Sequence, residues 1–163
     1  MLRHTFCHLP GVGPRTERRL WEAGYTSWEA VLAPGPSRPA PPGRLPAAPL
    51  RDSLDHYERR NPAWFGERLP AAQSWRLFHD FRDSCAFLDI ETTGMPGWGH
   101  VTTIALYDGI SVRHYVHGQN LHDFARDVAA SRLLVTFNGK PLDTAPAVPA
   151  PTAPPAGTSA LPP

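Results

Sequence analysis

Lysine occurs once, cysteine twice and methionine twice in this chain of 163 residues. The two cysteines, Cys7 and Cys85, lie far apart, which excludes a disulfide framework and makes a reduced, cytoplasmic protein the default expectation. No apolar run approaches the roughly 20 residues of a membrane-spanning helix, so no membrane association is expected. The opening residues Met1 to His8 are too short and polar a stretch for a signal peptide. A net charge of +1 excludes a strongly basic nucleic-acid coat as well as an acidic tail. Residues 144–163 hold no charged and no aromatic side chain, so they can neither bury much surface nor present a solvated helix face. No internal repeat is found. The scarcity of lysine beside abundant arginine looks more like base composition of the coding DNA than function.

Proline is abundant instead, at 20 residues, and clustered in 34–49 and 144–163. That spread divides the chain. Residues 1–32 are apolar and basic with helical spacing and read as a small helical module. Residues 33–50 read as a Pro-rich, extended linker. Residues 51–82 read as helical, interrupted at Asn61-Pro62. Residues 83–143 alternate strand and helix signals, and 144–163 read as a disordered tail. Charge is also uneven: residues 1–82 are net basic and 83–163 net acidic. Such an asymmetry suits a phosphate-binding module beside a carboxylate metal site, or arises by chance on solvated surfaces.

The segment 83–143 predicts the order β-β-β-α-β. Ser84 to Ile90 is a short apolar run. Val101 to Tyr107 is β-branched and aromatic, and Asp108-Gly109 is a two-residue hairpin signal leading into Ile110 to His117. Asn120 is placed to cap a helix reaching Ala130, and Leu133 to Phe137 reads as a buried strand. The fourth strand should lie beside the first, parallel to a strand already in the sheet.

At the front, Leu9-Pro10-Gly11-Val12-Gly13-Pro14 separates a helix over 2–8 from one that opens at Pro14 and ends at Gly24. Thr26 and Glu29 form a capping box for a third helix. The stretch LPGVGPRTERRLWEAG resembles the helix-hairpin-helix motif. That resemblance implies that backbone N–H groups around Gly11 and Gly13 hold a nucleic-acid phosphate, with Arg15, Arg18 and Arg19 adding contacts. A plain α-hairpin used only for packing has the same spacing. His4, Cys7 and His8 would share a helix face, but no fourth metal ligand is near, and a buried cysteine beside half-exposed histidines is the better reading.

The sharpest motif is Phe87-Leu88-Asp89-Ile90-Glu91-Thr92-Thr93-Gly94. Asp89 and Glu91 are two apart on a strand and so emerge on one face. Neighbouring carboxylates repel unless a cation lies between them, and hard oxygen ligands suit Mg²⁺ or Mn²⁺. Thr92, Thr93 and Gly94 add hydroxyls, N–H groups and a permissive turn where a substrate could approach. Trp21, Trp28, Trp64, Trp75 and Trp98 read as core and packing anchors, and Trp98, in the adjoining PGWGH loop, could instead stack on a base. His114 and His117 fall on opposite strand faces and read, with His100, as surface or core histidines.

This motif resembles the first motif of the DEDD-type 3′–5′ exonucleases, which have the ribonuclease-H-like fold. With PGWGHVTTIALYDG and LLVTFNGK after it, the stretch resembles the bacterial YprB-like branch of that superfamily. The resemblance implies an incomplete ribonuclease-H-like mixed sheet, nucleic acid as partner, and two divalent metals bridging a phosphodiester. Asp89 would bridge both metals and Glu91 would hold one of them. Asn138 and Asp143 fit the second motif, Asn138 orienting a backbone or sugar and Asp143 reaching a metal. Leu142 departs from that motif, where an aromatic is favoured, and the alternative is a turn Asp before a Pro/Ala-rich tail, although the five-residue spacing agrees with the motif.

After Asp143 the sequence holds no Asp, Glu, His or Tyr, so a third catalytic motif is missing. The expectation is a nuclease impaired by a truncated or frameshifted end. The alternatives are a non-catalytic nucleic-acid-binding fragment and a product without a stable fold.

Overall fold

Strand β1 (Cys85–Thr92) opens with two buried residues, Cys85 and Ala86, and then alternates. That pattern follows from a strand covered on both faces at its start and on one face further along. It belongs to a computed structural model that describes residues 1–33, 41, 45, 47–94, 99–137 and 158–161. Asn138, Asp143 and Trp98 lie outside the described residues, as does most of the Pro-rich stretch 34–46.

Beside β1 run β2 (Val101–Tyr107), antiparallel, and β4 (Leu133–Phe137), parallel. β3 (Val112–Val116) pairs antiparallel with β2. The sheet order is β3-β2-β1-β4-β5. Of the tail 144–163, expected from its composition to be disordered, the structure describes β5 (Thr158–Leu161), parallel to β4. This is a stretch free of proline, opening on a β-branched threonine, and can lend N–H groups to a ladder.

The helical part comprises α1 (Pro14–Glu22), α2 (Trp28–Leu32), α3 (Ala47–Glu58), α4 (Pro62–Gly66) and α5 (Arg76–Phe81). Pro14 and Pro62 sit in first turns, where proline's missing N–H costs nothing. The Asn61 side chain accepts from Trp64 N–H, which makes the expected interruption a cap. α3 starts at Ala47, inside the stretch read as linker, with Pro49 in its first turn.

The helix expected over 2–8 is instead one 3₁₀ turn, Leu2–His4. Thr5 Oγ1 and Phe6 N–H both donate to Glu17 of α1, at 2.5 and 2.6 Å, and turn the chain away from a helical ladder. Ser27, not Thr26, caps α2 by accepting from Ala30 N–H, and Glu29 pairs with Arg3.

The β2–β3 turn is four residues wide, because Asp108 accepts from both Ile110 N–H and Ser111 N–H and delays β3 to Val112. Gly109 takes a left-handed conformation there (φ +93°). The crossover starts as a 3₁₀ turn, Leu121–Asp123, and continues as α6 (Phe124–Val128). Asn120 does not cap it. Its side chain accepts from Val116 N–H (2.8 Å) and donates to His114 O (2.9 Å), so it occupies the outer edge of β3 as a strand partner would.

Two cores flank the sheet. Ala86, Leu88, Ile104, Leu106 and Leu134 pack beneath Phe124 and Val128 of α6. On the opposite face Cys85, Leu133 and Val135 join Leu2, Phe6, Leu20, Trp28, Leu50, Phe65 and Phe81 in one continuous cluster. Trp28 and Phe65 stack at 5.7 Å, and Trp28 Nε1–H donates to Thr5 O. The helical part is therefore built onto the sheet rather than beside it. Each fully buried Leu or Phe in this seam contributes about 1.5–3 kcal/mol.

Candidate metal and nucleic-acid site

Beyond the helical seam, the same face of β1 carries Phe87, Asp89 and Glu91, all exposed, while Leu88 and Ile90 turn toward α6. Across the ladder stand Tyr107, Ala105 and Thr103 of β2, and His114 of β3 stands beside Ala105. Asp89 and Glu91 lie on one face, about 7 Å apart along the strand. Among the described residues neither carboxylate has a side-chain hydrogen bond or ion pair. Every group of three or more His, Cys, Asp or Glu that could hold a metal is absent among the described residues, so the arrangement in hand is a pair.

The strand end is shaped by a register shift between Glu91 and Thr92, with Thr102 as the extra residue on β2. Thr102 Oγ1 donates to Glu91 O at 3.0 Å. Such bulges re-aim side chains at the rim of a sheet. Thr92 Oγ1 donates to Gly94 O. Thr93 N–H bonds His100 O, while Thr93 Oγ1 accepts from His100 N–H and meets His100 Nδ1 at 3.2 Å. A Cβ on Gly99 would come within 2.9 Å of Gly94 N, so the neck of this turn closes only because residue 99 is glycine. The His100 and His117 rings lie 4.9 Å apart, a juxtaposition hidden in the sequence because His117 follows the end of β3 and His100 precedes β2.

At the front, Gly11 has φ +77° and Gly13 is the extended N-cap of α1. A side chain added at either glycine would meet nothing within 4 Å, so this backbone faces open space. Arg15, Arg18 and Arg19 are exposed on α1. A shallow cleft of about 430 Å³ lies between the loop Cys7–Gly13, Arg68 and Pro70. Arg68, its guanidinium 4.2 Å over the Trp64 ring, is a cation at the glycine loop that sequence reading misses. It comes from the far side of the linker, and no local pattern marks it.

His4, Cys7 and His8 do not form a metal face. His8 Nε2 and Ser53 Oγ lie 2.8 Å apart, and Ser53 itself donates to Pro49 O. Burial pushes the His8 pKa down to about 4, so the ring is neutral. Burial likewise pushes the thiols of Cys7 and Cys85 up to about 11, and both are free, buried and unsuited to nucleophilic work.

With this geometry, residues 86–148 match the RNase_H_2 family, of the RNase_H superfamily. The mixed sheet is that of an incomplete ribonuclease-H-like fold, and the matched range takes in Asp89, Glu91, Asn138 and Asp143. Domains of that superfamily are associated with nucleic acids and divalent metals. No curated protein and no solved structure matches the chain. Among the described residues no helix is long and apolar enough to cross a membrane.

Proposed function

We propose that the protein is a metal-dependent phosphodiester hydrolase of the 3′–5′ exonuclease type, in the YprB-like branch, with a helix-hairpin-helix module at its front. The observation that supports this most strongly is the exposed pair Asp89 and Glu91, on one face at the end of β1, without a cationic partner among the described residues. Two such carboxylates repel, and a hard divalent cation relieves the repulsion. The donor set fits Mg²⁺ or Mn²⁺, held by Asp89 and Glu91 together with Asp143. A bound metal pair would supply an activated water and stabilise the leaving oxygen.

The chain's own residues bind and orient the substrate. N–H groups around Gly11 and Gly13, with Arg15, Arg18, Arg19 and Arg68, hold phosphates without reading sequence. The Thr93 hydroxyl is engaged by His100 and the Thr92 hydroxyl by Gly94 O, so both side chains steady the turn that meets the strand end, and Asn138 orients the sugar. The cytoplasm suits two distant reduced cysteines. In the test, purified chain with Mn²⁺ shortens an end-labelled strand, and Asp89→Ala abolishes the shortening. A second reading, a non-catalytic binding module, is favoured by the open backbone at Gly11 and Gly13 beside the exposed Arg15, Arg18 and Arg19, which can hold phosphates without a metal. Salt-sensitive binding without Mn²⁺-dependent shortening supports it instead.

A further inference from the structure

We propose that a track of exposed aromatic rings, running from α1 to the strand that bears Asp89 and Glu91, binds an unpaired nucleic-acid strand. The proposal deepens the function above and rests on it for what happens at the far end of the track.

Most large rings of the described residues are buried or half-buried. Trp21, Trp75, Phe78, Phe87 and Tyr107 are not, each being 37% to 45% exposed. Single exposed apolar residues need no explanation, but these five are consecutive neighbours. The Arg76 guanidinium lies 5.8 Å from the Trp21 ring and 5.5 Å from the Trp75 ring, bridging them. Trp75 and Phe78 are one turn apart, with Phe78 N–H bonded to Trp75 O. The Phe78 ring lies 6.0 Å from Phe87, and Phe87 lies 6.1 Å from Tyr107, its cross-strand partner. Phe87 precedes Asp89 by one position on the same face.

Rings at such intervals offer faces on which successive bases stack, whatever the sequence. Charge complementarity selects the occupant. Arg76 is already paired with Glu17, so its part is to hold the two tryptophans. Arg15, Arg18 and Arg19 stand exposed where the track begins, and Arg18 lies one turn before Trp21. A polymer with flat bases and a phosphate backbone satisfies both features. A duplex hides its base faces and satisfies only the arginines.

The test uses the full chain in EDTA-containing, metal-free buffer, with fluorescein-labelled oligothymidine and a duplex of equal length, read by anisotropy. The single strand should bind more tightly than the duplex and quench tryptophan fluorescence. Trp75→Ala and Phe87→Thr should each weaken binding about tenfold, the scale of losing one base stack, while Phe87→Trp retains it. Circular dichroism melts of the variants separate lost binding from lost fold. If the chain takes up Mn²⁺ and shortens strands but both ring variants bind oligothymidine as wild type does, the track is refuted and the carboxylate reading stands. Ring-dependent binding without metal uptake supports the track and removes the carboxylate reading. Preference for duplex overturns the track, as does sedimentation showing a dimer that Phe87→Thr dissociates, since the rings would then be a seam between two copies.

Discussion

Replacing Glu17 by alanine should loosen the whole front of the molecule. Glu17 is 1% exposed and serves three donors: Thr5 Oγ1, Phe6 N–H and, through both oxygens, Arg76. Arg76 is 11% exposed and its Nε already lacks a partner among the described residues. Removing one member of a buried ion pair costs about 3–5 kcal/mol, because the other charge is left uncompensated. The orphaned Phe6 N–H adds about 1–3 kcal/mol. Against a total stability of about 5–15 kcal/mol, that is a large fraction. Burial tends to raise the Glu17 pKa, but the bonds from Thr5, Phe6 and Arg76 outweigh it and hold the carboxyl below its ordinary value. Its stabilisation is therefore complete above the ordinary glutamate range and is lost as pH falls through the depressed folded pKa. Urea denaturation at pH 7, followed by tryptophan fluorescence, should show a loss of at least about 3 kcal/mol in Glu17→Ala. A loss below about 1 kcal/mol would refute the reasoning, since that is the worth of an exposed pair.

The neutral His8 ring makes a second, pH-resolved prediction. Its folded pKa is about 4, and the ordinary value is about 6.5, so the unfolded chain gains a proton that the folded one refuses as pH falls between them. Stability should decline by up to about 3 kcal/mol across that window and be flat above it, with His8→Phe flattening the slope in urea titrations at stepped pH. A slope unchanged in the variant would assign the effect to other groups. Asn120→Ala bares the N–H of Val116 and the carbonyl of His114 at the edge of β3, which should cost about 1–2 kcal/mol and raise light scattering on heating. An unchanged melting temperature would contradict the role assigned to that side chain.

The parts of the fold governed by short-range pattern were legible. β1, β2 and β4 announce themselves as β-branched and apolar runs, and the period of two along β1 is enough by itself to put Asp89 and Glu91 on one face. Departures occur where a side chain from elsewhere takes over the backbone. Glu17 captures Phe6 N–H and ends the first turn early, Asp108 widens the β2–β3 turn, and Asn120 serves the edge of β3 instead of a helix. The ring neighbours Trp21, Trp75, Phe78, Phe87 and Tyr107 and the place of Arg68 at the glycine loop were not readable either, because each brings together residues far apart in the chain.

Isothermal titration of Mn²⁺ into the full chain tests the central claim most directly. The wild-type chain should show saturable uptake that weakens by an order of magnitude or more in both Asp89→Ala and Glu91→Ala, with the fold unchanged by circular dichroism. Absence of uptake by the wild-type protein, or uptake that persists at full strength in both variants, would contradict it.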